Sequence, residues 1–478
     1  MADDDSETIC ADCTGEPFLR EIIRSGGVAG TCHYCGGDSP AIALEELADR
    51  IEAAFESHYR RTSDQPTAME SSMLADRESS YEWERRGDEV IFAIADAASI
   101  DEAVAADVQE ILEQRHSDFE AAKMGEECEF ADDSYYDRKG PDDIEFQLDW
   151  RRFERRLKTE ARFFDKEAKT IFDKVFAGLS SHRTRGGGAV VQEAGPGQPI
   201  AALYRGRVFH SHDKLKEALK RPDIEIGSPP SKDATAGRMN SRGISVFYGA
   251  LDARVAIAEI RPPGGSRVAV VRFEIIRPLK LLDLEALKGL YVEGSIFDRD
   301  YVGRLELAKF LESLSHRLSA PVMPDDEWSD YLITQAVADY LANEAELDGI
   351  IYPSVQQGDG ALNVALFHHA ARVETLDIPE GTEIDAYATM AGDEDFDCEY
   401  SVYEETPPPS PKPKPRPPLR GLFYDVSPVL WDADRDVRSP GLRVDLDGVE
   451  VHDVTGVQIV TTSHRVRRHR SEKRSLPF

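Results

Sequence analysis

The sequence predicts a multidomain chain: a small cysteine knuckle, then an α-helical domain, then an α+β domain. Three observations predict it. Residues 1–42 hold two Cys-x-x-Cys pairs, residues 43–180 read mainly as helix, and strand-length apolar runs alternate with helical stretches across residues 198–380. A chain of 478 residues has room for several domains, and its 41% of hydrophobic residues can fill their cores, so disorder throughout is excluded.

The knuckle reads Cys10-x-x-Cys13 and, after eighteen intervening residues, Cys32-x-x-Cys35. That spacing lies in the range of zinc sites. Four thiolates at ~2.3 Å satisfy Zn²⁺ as a tetrahedron, and each Cys-x-x-Cys turn presents two sulfurs to one ion. A site closed by four protein ligands leaves no position for substrate, so the metal is expected to be structural. A redox dithiol and two unrelated pairs are the competing readings of the same cysteines. Cys128 and Cys398 have no partner pattern, and six cysteines in this length are not the usage of a secreted disulfide scaffold.

Asp143–Leu179 is expected to be one long helix, because Phe146, Trp150, Phe153, Leu157 and Phe164 fall near one face while Arg, Lys and Glu fill the others. Such a stripe is core packing and gives a helical bundle. Residues 183–197 turn Gly-rich and polar and are expected to link domains.

In the second half, Ile200–Val208, Ile244–Gly249, Arg267–Ile276, Ile350–Ser354 and Asn363–Phe367 read as strands. Asp252–Ile260, Val302–Leu318 and Glu327–Glu346 read as helices, and Gly349 suits the exit of the last. No Gly-x-Gly-x-x-Gly follows a strand and no Walker A sequence occurs, so the two common nucleotide-binding folds lose their main support.

Asp393–Glu405 is acidic and expected to be a mobile loop. With the proline-rich run Pro407–Pro418 it makes a linker over residues 393–418, followed by a strand-rich tail over 419–478 that ends in the basic stretch Ser463–Arg470. That stretch is expected to be disordered or to fold back on the acidic surface. The net charge of −33 repels phosphate backbones and makes nucleic acid an unfavourable partner, without forbidding a local basic pocket for a small phosphorylated ligand. No apolar run approaches the ~20 residues of a membrane span. The acidic start of the chain also lacks the parts of a signal peptide, so a cytoplasmic protein with no membrane partner is expected.

Four segments carry the candidate site. They are Leu203-Tyr-Arg-Gly-Arg207, Gly237-Arg-Met-Asn-Ser-Arg-Gly243, Val246-Phe-Tyr-Gly-Ala250 with Ala258-Glu-Ile-Arg261, and Ile351-Tyr-Pro-Ser-Val355 with Asn363. Arg205, beside Tyr204 at a strand start, is either a bidentate contact for a pyrophosphate or a surface arginine. Glu259 sits among Ala256, Ile257, Ala258 and Ile260, where a carboxylate needs a partner or a function unless it faces outward. Tyr248 would stack on a planar ring or pack in the core. Ser354 follows Pro353 at a strand end, where ligand contacts concentrate and turn serines also occur. Gly237 and Gly243 bracket a turn that would wrap a phosphate through Arg238, Asn240 and Arg242.

In order and spacing, these segments resemble the RES domain family, named for its Arg, Glu and Ser, here Arg205, Glu259 and Ser354. Tyr248 matches the family's tyrosine in the strand before the glutamate helix, and Tyr-Pro-Ser followed by Asn363-Val-Ala-Leu-Phe matches its close. Met239 stands where the family usually has Trp. The likeness runs from about Leu203 to Phe367.

The resemblance implies a fold like that of ADP-ribosyltransferase toxins and an enzyme that consumes NAD⁺. The reaction implied is phosphorolysis or hydrolysis of the nicotinamide–ribose bond, with inorganic phosphate a candidate co-substrate. It implies catalytic roles for Arg205, Tyr248, Glu259 and Ser354, and substrate contacts for Tyr204, Arg238, Asn240, Arg242 and Asn363. It also implies a toxin or defence effector with an antitoxin protein as partner.

The knuckle and helices ahead of such a domain resemble the HEPN/RES N-terminal domain family. HEPN domains are often RNases that use Arg-x₄₋₆-His on a helix. His33, His58 and His116 lack an arginine at that distance upstream, and Arg205 to His210, which has it, reads as strand. RNase activity is therefore not expected, and the helical region is expected to dock the RES domain, an antitoxin or a regulator. Two other functions fit the sequence: an ADP-ribosyltransferase acting on a macromolecule, and a non-catalytic zinc and helical interaction protein.

Overall fold

The computed structural model describes residues 7–76, 78–117, 127–358, 360–391, 397–408, 436–458 and 461–470. The chain divides into two compact units, Met1–Val190 with Ala286–Leu318, and Val191–Glu285 with Ser319–Phe478. Most of the proline-rich run and the start of the tail, residues 409–435, lie outside the described residues.

In the first unit, β1 (Thr8–Cys10), β2 (Val28–Thr31) and β3 (Asp38–Ala43) form an antiparallel sheet in the order β1–β3–β2, with α1 (Pro17–Gly26) between the first two strands. Pro17 opens α1, where its missing N–H is not needed, and Glu16 accepts from the Leu19 amide at 2.7 Å as the cap. Next come α2 (Leu44–His58), β4 (Tyr59–Arg61), β5 (Asp88–Glu89), α3 (Val90–Ala98), α4 (Glu102–His116) and β6 (Tyr135–Arg138), whose strands pair in the order β4–β6–β5. Leu47, Ile51 and Phe55 of α2 and Val104, Val108 and Leu112 of α4 recur at helical spacing, and they bury with Ile9, Leu19 and Ile23. The knuckle thus shares one core with the helices.

Asp143–Leu179 is not one helix but two main helices, α5 (Ile144–Thr159) and α6 (Lys166–Phe176). Asp165 stops the first from continuing by capping the second. Its carboxylate accepts from the Glu167 and Ala168 amides and pairs with Arg156 at 2.9 Å. The break returns Phe172 of α6 against Trp150 and Phe153, with ring centroids 5.8 and 4.7 Å away. Phe146, Trp150, Phe153 and Leu157 bury as their spacing requires, whereas Phe164, at φ +58° in the break, is exposed. Phe310, from the helix Tyr301–Ser319, completes this cluster by packing on Phe146 and Trp150.

The second unit is built on one sheet. Its elements in chain order are β7 (Val191–Ala194), β8 (Ala202–Phe209), α7 (His212–Lys220), β9 (Phe247–Ala250), α8 (Ala253–Glu259), β10 (Arg267–Ile275), β11 (Leu279–Asp283), α9 (Glu327–Asn343), β12 (Gly349–Pro353), β13 (Leu362–Leu366), β14 (Glu383–Ala391), β15 (Asp397–Glu405) and β16 (Leu442–Asp453). Eight strands join in the order β16–β10–β8–β9–β13–β12–β11–β7, a mixed sheet in which β11 and β12 are the parallel pair. Strand alternation gives the sheet two different faces. Leu203, Phe247, Val271, Phe273, Val364 and Leu366 fill the core on one, while Ala250 and Tyr204 on the other pack under α8.

Three expectations change. Residues 183–197 are not simply a linker, because 191–194 form the edge strand β7. Within the acidic segment Asp393–Glu405, β15 pairs with β14 along its whole length, since Tyr400, Val402 and Tyr403 supply β-forming side chains among the carboxylates. Within the tail, β16 becomes the opposite edge of the main sheet, bulged against β10 between Val271 and Phe273. Residues 461–470 are exposed and have no regular secondary structure. Among the described residues, no helix is long and apolar enough to cross a membrane.

Candidate active site

Glu259 is the last residue of α8, which Asp252 starts by accepting from the Arg254 amide at 2.8 Å. Gly206 lets this helix lie close to β8: a Cβ there would stand 3.1 Å from Ile260 Cδ1 and 3.3 Å from the Ala256 carbonyl oxygen. The helix end is thereby brought to the rim of β12 and β13. There Ser354 Oγ donates to Glu259 Oε1 at 2.6 Å, and Asn363 Nδ2 donates to the same oxygen at 2.7 Å. Among the described residues, Glu259 Oε2 accepts no hydrogen bond. Asn363 is 2% exposed, and among the described residues its Oδ1 has no partner. Two uncommitted acceptors therefore sit on two side chains that are bonded to each other, an arrangement that suits a ligand bearing hydroxyl donors.

Register explains why these residues meet. Asn363 lies opposite both Ala250 of β9 and Tyr352 of β12, so Tyr204, Ala250, Asn363 and Tyr352 share the face under α8. Tyr248, two residues before Ala250, belongs to the same face. Its hydroxyl donates to Asn240 Oδ1 at 2.8 Å and accepts from the Met239 amide at 2.9 Å, and burial pushes its pKa up to about 12. Burial, reinforced by Tyr248 and Glu259, also pushes the Tyr352 hydroxyl up.

Arg205 stands on the opposite face by alternation, across from Val271. Its guanidinium lies 5.3 Å from the centre of the Phe247 ring and donates to the Tyr248 carbonyl at 2.9 Å. Burial lowers its pKa to about 10, which leaves it cationic at neutral pH. Arg205 is thus linked to the site through the backbone of β9 and is not hydrogen-bonded to Glu259, Ser354 or Asn363.

The turn Gly237–Gly243 is fixed from within and from α9. Asn240 spends both amide hydrogens on the carbonyls of Thr235, Ser241 and Ile244 and its oxygen on Tyr248. Arg238 donates to the carbonyls of Ser319 and Ala320. Thr334 Oγ1 donates to the Arg238 carbonyl at 2.5 Å, and Gln335 Nε2 to the Gly237 carbonyl at 2.8 Å. Gly237 is required here, since a Cβ would come within 2.7 Å of Asn240 Oδ1 and 2.8 Å of the Tyr248 oxygen. Arg242 is exposed and outside this network. Sequence reasoning missed Tyr352, Thr334 and Gln335. Tyr352 is two residues before Ser354 and so was findable by strand alternation, whereas Thr334 and Gln335 bond main-chain carbonyls almost a hundred residues away and leave no local signal.

The other constellation is the cysteine cluster. The sulfurs of Cys10, Cys13, Cys32 and Cys35 all lie within 4.8 Å of one another, with Cys10 to Cys35 at 3.6 Å and Cys13 to Cys32 at 3.8 Å. A disulfide requires ~2.05 Å. Four ~2.3 Å metal–sulfur bonds in a tetrahedron place the sulfurs ~3.8 Å apart, so the cluster fits one metal ion.

Residues 207–387 match the RES domain, and residues 26–170 match the HEPN/RES N-terminal domain 1. Residues 207–387 thus form a RES domain, and residues 26–170 belong to the N-terminal domain that accompanies such domains. The RES match begins two residues after Arg205, so it includes Tyr248, Glu259, Ser354 and Asn363 and leaves Arg205 to the geometry above. None of the curated proteins matches the chain.

Proposed function

We propose that the second unit consumes NAD⁺ by phosphorolysis or hydrolysis of the nicotinamide–ribose bond, and that the chain is a toxin or defence effector. The observation that carries this reading is the Glu259 carboxylate, held on one oxygen by Ser354 and Asn363 and, among the described residues, left free on the other. Breaking the bond to nicotinamide builds positive charge on the ribose, as in glycoside cleavage. A carboxylate already oriented by two hydrogen bonds stabilises that charge without having to reorganise. Asn363 Oδ1 accepts from a ribose hydroxyl, which supplies the partner it lacks among the described residues. Ser354 fixes the carboxylate. Arg205 acts from the other face of the sheet through its bond to the Tyr248 carbonyl, and Tyr248 contributes its ring to the nicotinamide side, with Tyr204 bordering it. Arg238 and Asn240 act by holding the turn, and Arg242 remains available to a phosphate. The resemblance of this fold to the ADP-ribosyltransferases belongs to the same proposal.

The cysteine cluster holds zinc with a structural role, since four thiolates close the coordination shell and the cluster is continuous with the core of the first unit. An antitoxin protein is the partner and the cytoplasm the compartment that this reading implies. Incubating the pure protein with NAD⁺, with and without inorganic phosphate, tests it. Release of nicotinamide supports the proposal, and a phosphorylated ADP-ribose product identifies phosphate as the acceptor. Intact NAD⁺ under both conditions, or ADP-ribose transferred to a macromolecule, contradicts it.

A further inference from the structure

The first unit contains a cavity of 380 Å³ lined by one face of α2, by residues 296–299 and by Val302. Its apolar surface comes from Ala53, Ala54, Ile296, Phe297 and Val302. Three side chains on α2 bring polar groups to it, one of them fully buried. His58 is 8% exposed, and among the described residues its ring makes no hydrogen bond. The Ser57 hydroxyl makes none either. Among the described residues Arg50 Nε is buried without a partner, although Nη2 of the same side chain pairs with Glu46 at 2.8 Å. Positions 50, 53, 54, 57 and 58 fall on one side of a helix, so the convergence follows from the sequence of α2. Buried polar groups are almost always satisfied; here the fully buried Arg50 Nε and the nearly buried His58 ring, both without a hydrogen bond among the described residues, stand beside the half-buried Ser57 hydroxyl, a set that points to a ligand.

The chemistry of these groups defines the ligand. Burial, helped by Lys139 and Arg138, lowers the His58 pKa and keeps the ring neutral, so it offers one donor and one acceptor. Ser57 offers both as well, and Arg50 Nε only donates. The apolar part of the lining includes the Phe297 ring. Four carboxylates (Glu46, Asp49, Glu56 and Asp298) line the cavity against two guanidiniums (Arg50 and Arg299), a balance that disfavours phosphate. We infer that this cavity binds a small uncharged nitrogen heterocycle, flat and apolar on its faces, with amide-type donors and acceptors on its edge and no phosphate. The inference concerns the first unit alone and is independent of the reading of Glu259.

The test follows the His58 ring resonance of the full chain, assigned with His58→Gln, during titration with nicotinamide, adenine and uracil. A saturable shift with at least one of them is expected. AMP or UMP should need at least about tenfold more ligand than the free base, because of the carboxylates. Ala53→Leu, which fills the cavity, should abolish the shift. Ser57→Ala adds no volume and should weaken binding about three- to tenfold, the effect of one hydrogen bond. Should Ala53→Leu fail to fold, Ser57→Ala decides. The inference is overturned if none of the three heterocycles moves the resonance at millimolar concentration, if AMP binds as well as adenine, or if binding is unchanged in Ser57→Ala.

Discussion

Ser354 Oγ donates to Oε1 of Glu259 across 2.6 Å, joining a strand end to a helix end 95 residues earlier in the chain. The bond selects which carboxylate oxygen is occupied; in the proposed reading the other one faces the ribose. Replacing Ser354 by Ala leaves Asn363 as the only donor to that oxygen among the described residues. Loss of a hydrogen bond to a charged group should cost about 1.5–3 kcal/mol, read as a lower urea midpoint, together with reduced NAD⁺ turnover. Unchanged stability and turnover would show that this contact orients nothing.

Tyr248 ties the strand β9 to the turn at Asn240. Tyr248→Phe strips the Met239 amide and Asn240 Oδ1 of their shared partner. A loss of about 1–3 kcal/mol is expected, because both groups stay buried. Denaturant unfolding of the single variant measures it, and a neutral result would mean that water replaces the hydroxyl.

The cysteine cluster should carry one zinc per chain, measurable by elemental analysis. Cys32→Ser should lose the metal and lower the melting temperature, since Cys32 is buried beside Cys10 at the base of the cluster. Full metal content in that variant would rule out coordination by all four sulfurs.

Asp165 caps α6 and its pKa is held below the usual carboxylate range, chiefly by the Arg156 guanidinium. Asp165→Ala should therefore destabilise by about 1 kcal/mol at neutral pH. A depressed folded-state pKa contributes stability that is present above the unfolded pKa of ~3.9 and fades as pH falls through the lower folded value. The gap between wild type and variant should close on acidification, and a gap that widens would contradict this.

Much of the second unit was legible in its sequence. Glu259 stood out as a carboxylate among Ala256, Ile257, Ala258 and Ile260, and the structure gives it the two partners such a carboxylate needs. Ser354 and Asn363 lie at the end of one strand and near the start of the next, where period-two patterns are easy to read. Side-chain direction was less accessible. The segment around Tyr204 and Arg205 suggested two neighbouring contacts, but adjacent strand residues face opposite ways, so Tyr204 lies under α8 while Arg205 reaches Phe247. Long-range anchoring was not legible, because Gln335 acts on the Gly237 carbonyl and main-chain acceptors carry no residue signature. The helix expected over Asp143–Leu179 failed for a local reason: Asp165 competes for the amides that would have continued the helix.

The most direct measurement is nicotinamide release from NAD⁺ by wild type and by Glu259→Gln, run with and without phosphate. Glutamine keeps an oxygen to accept from Ser354 and Asn363 but removes the charge. The expected result is a fold that melts close to wild type and turnover lower by about 10²–10⁴-fold, the size typical of a positioned catalytic carboxylate. Wild-type turnover in Glu259→Gln would contradict the assignment of Glu259 as the residue that breaks the bond to nicotinamide.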